Sequence, residues 1–371
     1  EKNNEFSKIK TDLKTGNTGV IGMPKLPSYS TLIMIDPTKS YRLEYNINDS
    51  YIVDDIKIAP NQQLLNGLEK TYVEDIDDDF YNSKTKYPYN NVTVSDPLIM
   101  RDIVVLNLSV VPFNFIPNSR KLEVVTSFDI RLIETDTHED LRRRQMPKSR
   151  VFEKLYQNQI INYNSETRDD EYQHPSILYI CAGNLETNST LGQLFQWREE
   201  RGYIVYTASL SETGSSATSI KNYIENAYDT FNPPPEYVAL VGDVGGSYSI
   251  PTYYEDFGHD SYGNECEGDL PYSQLDGSDL FPEVLVGRMS LRSTSELNAV
   301  VPKILNYEKA TYLGNLDNYY NNATMAGDPS SSGNSCAITK EYVKEILENH
   351  GFGDVDIKTS GSSWSSWMRN E

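Results

Sequence analysis

Three carboxylates, Asp276, Asp279 and Glu283, crowd into one short loop that turns at Gly277. An acidic loop feeding a strand and then a helix is the build of a parallel α/β site, while a solvated acidic loop needs no function, and the residues alone leave both readings open. Two further carboxylates follow a glycine at the end of an apolar run, in Val241-Gly242-Asp243 and Ala326-Gly327-Asp328. Nucleophilic chemistry has thinner material. Cys266 lies near His259, with Asp256 and Asp260 close by, and so offers a thiol, a base and an acid. Partners in such sites usually come from separate strand ends, so proximity in sequence is a poor guide. Cys181 sits in an apolar run and reads as a small core residue. His138 and His174 fall in a charged segment and at the start of the next strand pattern, and His350 suits the C-terminus of a helix.

The elements that must position these groups change in kind along the chain. Between about Gly19 and Glu134 the runs Thr31 to Ile35, Ile52 to Ile58, Ile103 to Val111 and Leu122 to Leu132 are separated by Pro, Gly and Asn, without a helical stripe. The last run nearly alternates apolar with polar residues, as a half-buried antiparallel strand does. Residues 1–134 therefore read as a β-rich module. Residues 135–168 are highly charged, carry the run Arg142-Arg143-Arg144, and read as a cleavable linker or exposed helix, with Arg144, Arg150 and Arg168 as sites for a trypsin-like protease.

From Ser176 onward strand and helix alternate. Strands are predicted at Ile177 to Cys181, Tyr203 to Thr207, Tyr237 to Val241, Val284 to Val286, Ala323 to Ala326 and Val355 to Lys358. Helices are predicted over Leu191 to Arg201, Ser219 to Phe231, Glu296 to Tyr312 and Ile338 to His350. Ser293 and Glu296 form a capping-box pattern, and Pro302 implies a kink or a later start. Such alternation predicts a mostly parallel sheet in residues 169–371, whose ligands gather outside the carboxyl ends of its strands.

Composition narrows the partners. The 371 residues carry a formal net charge of −21, which argues against nucleic acid and anionic membranes, since phosphate binding needs Lys and Arg. No apolar run reaches the length of a membrane span, and the opening EKNNEFSKIK has no hydrophobic signal segment, as in a mature form. Three cysteines are too few and too scattered for a disulfide framework or a zinc cluster. The 27 tyrosines, many in loops, are read as packing those loops down.

Several motifs, in order, resemble the gingipain-type cysteine peptidases of family C25. They are YVALVGD at Tyr237 to Asp243, the block Asp269 to Arg288 with its DG-x-D and VGR, Asn306-Tyr307-Glu308, and MAGD at Met325 to Asp328. Upstream, Gly22 to Pro27, Lys86-Tyr87-Pro88 and the run Val110 to Val124 resemble that family's propeptide. The resemblance implies a β-rich prodomain followed by a caspase-like α/β domain, incomplete at the C-terminus, from a secreted or cell-surface bacterial protein.

It also implies a zymogen that hydrolyses protein or peptide substrates through a cysteine nucleophile and a histidine, both downstream of Glu371. Asp328 would orient the histidine, and the propeptide would contact the catalytic domain and cover its active-site rim. A further implication is structural calcium held by Asp243, Asp279 and Glu283 with the carbonyls of Asp276 and Phe281. Cys336 falls near the substrate-pocket position where arginine-specific members keep an Asp, so arginine specificity is not implied. A non-catalytic surface or secretion-associated binding protein is the alternative, if the downstream dyad is absent.

Overall fold

The computed structural model describes all residues except 1–5, 13–14, 63–74, 165–171, 257–264, 312–320, 328–333, 361–362, 365 and 368–371, together with the side chains of 255–256 and 265–267. It forms two compact units, residues 1–64 with 73–297, and residues 65–72 with 298–371.

The first unit contains both an antiparallel and a parallel module. In the former, β1 (Pro27–Ile35), β2 (Lys39–Val53), β3 (Leu98–Met100), β4 (Ile103–Val110), β5 (Phe113–Ile116) and β6 (Lys121–Thr137) make two sheets. One sheet pairs β1 and β3 with β4; the other runs β2-β6-β5. The runs at Thr31, Ile103 and Leu122 thus form strands as their patterns predict, whereas Ile52 to Ile58 keeps strand geometry only to Val53. β3 and β4 form a hairpin whose two connecting residues are Arg101 and Asp102, with Met100 paired to Ile103.

The charged segment after β6 is no free linker. Ser149 caps α1 (Arg150–Gln159), accepting a hydrogen bond from the Phe152 amide. Phe152 and Tyr156, four residues apart, are buried with Ile160 against Met100, Ile103 and Val105. Burial of this face holds the helix to the antiparallel module despite the charge on its other side.

The parallel sheet has the order β8-β7-β9-β10, formed by β7 (Ser176–Cys181), β8 (Ile204–Ser209), β9 (Tyr237–Val241) and β10 (Leu285–Met289). Helix α2 (Ser189–Glu200) connects β7 to β8, and α3 (Ala217–Thr230) lies between β8 and β9. The apolar stripe Ile220, Ile224, Ala227 and Tyr228 of α3 packs on Leu178, Ile180, Val238 and Leu240 of the sheet. Helix α4 (Thr294–Glu308) begins near its predicted cap and runs through Pro302. The Glu296 amide donates to the Ser293 hydroxyl at 3.2 Å, while the Glu296 carboxylate accepts from the Arg292 amide, one residue outside the usual box.

In the second unit, β11 (Asn322–Ala326) and β12 (Asp354–Lys358) pair in parallel, connected by a segment containing α5 (Ser335–Asn349). His350 lies at the C-terminus of that helix, where the sequence places it, and its amide donates to the Ile346 and Leu347 carbonyls.

Candidate functional site

Strand register decides which carboxylates can share a site. Tyr237 lies opposite Leu285 and Val241 opposite Met289, so β9 and β10 run side by side in the same direction. Asp243 follows the carboxyl end of β9, whereas Glu283 precedes the amino end of β10. At about 3.3 Å per residue the two positions are separated by roughly 20 Å or more. Ligands of one calcium ion lie about 2.3–2.6 Å from it. Asp243 therefore leaves the ligand set predicted with Asp279 and Glu283. Its carboxylate instead pairs with the Arg292 guanidinium, which holds its pKa below the ordinary value.

Asp276, Asp279, Phe281 and Glu283 do gather at the amino end of the sheet. Glu283 is fully buried, and its Oε2 accepts hydrogen bonds from the amides of Leu275 at 2.6 Å and Asp276 at 3.1 Å. Its other oxygen, Oε1, is buried without a partner. Burial pushes this carboxyl up to about 7; the two amide bonds work against the rise, and the charges of Asp279 and Asp276 add to it. Asp276 Oδ1 accepts from the Gly277 amide at 2.9 Å, with Arg143 Nε 3.3 Å away. Asp279 Oδ1 accepts from the Phe281 amide and Oδ2 from the Ile99 amide, both at 2.8 Å. Among the described residues no group of three or more His, Cys, Asp or Glu side chains is disposed to hold a metal ion. The unpartnered Glu283 oxygen is the feature of this loop that fits one.

At the carboxyl ends of the strands, loops are braced by an arginine of β10. Arg288 donates through Nε to Asp269 at 2.8 Å and through a terminal nitrogen at 2.7 Å, and also donates to the carbonyls of Gly242, Ile250 and Pro251. The predicted strand-end mark Gly287-Arg288 is thus a brace for three loop segments. Tyr248 fills the space beside Gly183, where φ is +58° and an added Cβ would come within 2.4 Å of the ring.

Asp328, His259 and Asp260 lie outside the described residues, as do the side chains of Asp256 and Cys266. Cys336 is half-buried near the start of α5, its backbone carbonyl close to Gly327. Cys181 is a core residue, and burial pushes its thiol well above its ordinary pKa.

Sequence reasoning missed the residues that tie the two modules of the first unit together. Arg101, only 1% exposed, donates to the carbonyls of Pro235 at 3.0 Å and Glu283 at 2.9 Å, and to Gln173 Oε1 at 3.0 Å. Its guanidinium lies over the rings of Phe152 at 5.1 Å and Tyr228 at 5.6 Å. Arg143 pairs with Glu225 at 2.6 Å as well as Asp276, and Arg144 donates to the Tyr228 carbonyl at 2.8 Å. Arg144, predicted as a protease site, and its neighbour Arg143 are thus bonded to the parallel module. The available signal was a charged pair, Arg101-Asp102, set between two apolar strands.

All of these contacts meet the amino ends of β7, β9 and β10 or the C-terminus of α3. Among the described residues they therefore lie at the end of the sheet opposite the rim that the first module was expected to cover.

Comparison with known proteins accounts for the two modules. A family model described as Propeptide_C25 matches residues 2–169, and one described as Peptidase family C25 matches residues 170–363. Gingipain R2 of Porphyromonas gingivalis is 22% identical over 346 residues, covering 90% of this chain and 45% of the relative. Lys-gingipain of the same organism is 27% identical over 267 residues, covering 68% of this chain and 14% of the relative. The chain thus spans less than half the length of these relatives. The crystal structure of the Arg-specific cysteine proteinase gingipain R aligns with a TM-score of 0.39 at 19% identity, covering 53% of this chain and 44% of that one. The complex of Porphyromonas gingivalis RgpB pro- and mature domains aligns with a TM-score of 0.33 at 22% identity, covering 40% and 76%. On the two family matches, which together take in most of its length in order, the chain belongs to peptidase family C25 and carries that family's propeptide.

Proposed function

We propose that the chain is the propeptide and the first part of the catalytic domain of a secreted or surface-bound bacterial cysteine endopeptidase zymogen. The observation that carries this reading is the ordered match of propeptide and peptidase regions. The parallel order β8-β7-β9-β10 is compatible with a caspase-like arrangement. In the proposed reaction a downstream cysteine attacks the scissile carbonyl of a protein or peptide substrate, a downstream histidine carries the proton, and Asp328 orients that histidine. Cys181 is unsuited to the nucleophile's part, because burial disfavours its thiolate. Cys336 remains the candidate for the substrate pocket.

The test compares this 371-residue chain with the full-length parent on a mixed peptide library under reducing conditions. Hydrolysis by the processed parent alone is expected. Robust thiol-dependent hydrolysis by the chain itself would overturn the proposal.

A structural calcium ion is a second proposal, carried by the buried unpartnered oxygen of Glu283. Glu283, Asp279 and the carbonyls of Asp276 and Phe281 would hold it, and it would supply charge neutralisation to the loop. Chelation should lower the melting temperature by several degrees, as expected when a ligand of the native state is removed. An unchanged melting curve would remove calcium from the description.

A further inference from the structure

The carboxylates of the acidic loop are engaged by groups that a cation would have to displace or oppose, and these come from the propeptide. The Ile99 amide, in β3, donates to Asp279 Oδ2 at 2.8 Å. Arg143 sets Nε 3.3 Å from Asp276 Oδ1 and donates through a terminal nitrogen to the Leu275 carbonyl at 2.9 Å. Arg101 donates to the Glu283 carbonyl at 2.9 Å. The propeptide thus brings two guanidinium groups and one amide to a single loop.

A divalent cation calls on the same oxygens. Calcium takes six to eight oxygen ligands at about 2.3–2.6 Å, so the Asp279 oxygen turned to the Ile99 amide must be released or shared. Two nearby guanidinium charges also oppose a doubly charged ion. The cluster offers more than acidity, because Glu283 is fully buried and turns its carboxylate to the loop with Oε1 unpartnered.

We propose that the propeptide and a divalent cation are antagonistic ligands of the 275–283 loop. The docked propeptide holds an Asp279 oxygen on the Ile99 amide and sets the Arg143 guanidinium against Asp276, and its departure frees the loop for the ion. Coupling between two ligands is reciprocal, so calcium loosens the propeptide by the same factor by which the propeptide weakens calcium. This inference rests on the calcium reading above. It adds an order of events, in which ion binding accompanies propeptide release.

Calcium titration of the full chain by calorimetry, beside hydrogen exchange of the Ile99 amide, tests it. Arg143→Ala, at a partly exposed position, should tighten the calcium Kd by about fivefold or more, the lower end of typical coupling. In the unmodified chain, which needs no variant to fold, calcium should speed exchange at Ile99 by taking its acceptor. Equal Kd values with unchanged Ile99 exchange would overturn the antagonism and leave the calcium site standing. No calcium binding by either protein, or undiminished binding by Glu283→Gln, would overturn both.

Discussion

Arg101 is a cation placed where water cannot reach it, and it is tolerable there because carbonyl oxygens and two aromatic faces replace its hydration. Its flat, forked guanidinium reaches Pro235 and Glu283 with one nitrogen and Gln173 with another, a geometry that a lysine ammonium cannot reproduce. Arg101→Lys should therefore cost about 3 kcal/mol in urea unfolding, and a loss within about 0.5 kcal/mol would show that the contacts contribute little. The Arg288–Asp269 pair gives a pH dependence. Burial would raise the Asp269 pKa, but the bonds from Arg288 and Thr252 outweigh it and hold the group below its ordinary 3.8. A lowered folded-state pKa contributes stability that is complete above the unfolded value and is lost as pH falls through the folded one. The unmodified chain should lose melting temperature more steeply below about pH 4 than Asp269→Asn does, and parallel curves would refute the assignment.

At the scale of elements, α1 shows how a short apolar face overrides a charged composition. Phe152 and Tyr156 are buried with Ile160 against β3 and β4, so Phe152→Ala should cost about 3–5 kcal/mol, read by denaturant unfolding. A cost below about 1 kcal/mol would mean that the helix is the surface element its charge implies. The sequence showed the alternating strand at Leu122 and the β/α rhythm after Ser176 because a buried face leaves a period. It showed α1 only as a linker or an exposed helix, because the two aromatics that anchor its buried face are too few to stand out among Arg150, Glu153 and Lys154. The three residues of β3 were also too short to carry a pattern. The acidic loop was legible as a cluster, yet Asp243 was wrongly joined to it: each carboxylate flanks a strand of the parallel sheet, and only register reveals that they flank opposite ends.

At the scale of the first unit, the propeptide grips the amino end of the parallel sheet through groups of two kinds. Arg101 is buried and the Phe152–Tyr156 cluster takes in Phe281 and Leu285 of the parallel module, whereas the Arg143 pairs with Glu225 and Asp229 are partly exposed and open to screening. A single proteolytic cut between α1 and β7 removes the covalent link and none of these contacts. The two fragments should then co-migrate in size-exclusion chromatography, and salt alone should not part them, because screening reaches the Arg143 pairs and spares the buried face. Arg101→Lys combined with Phe152→Ala should let the cut fragments separate under conditions where the unmodified pair stays together. If the unmodified fragments separate on cutting, the amino-end contacts do not hold the propeptide, and the covalent linker does.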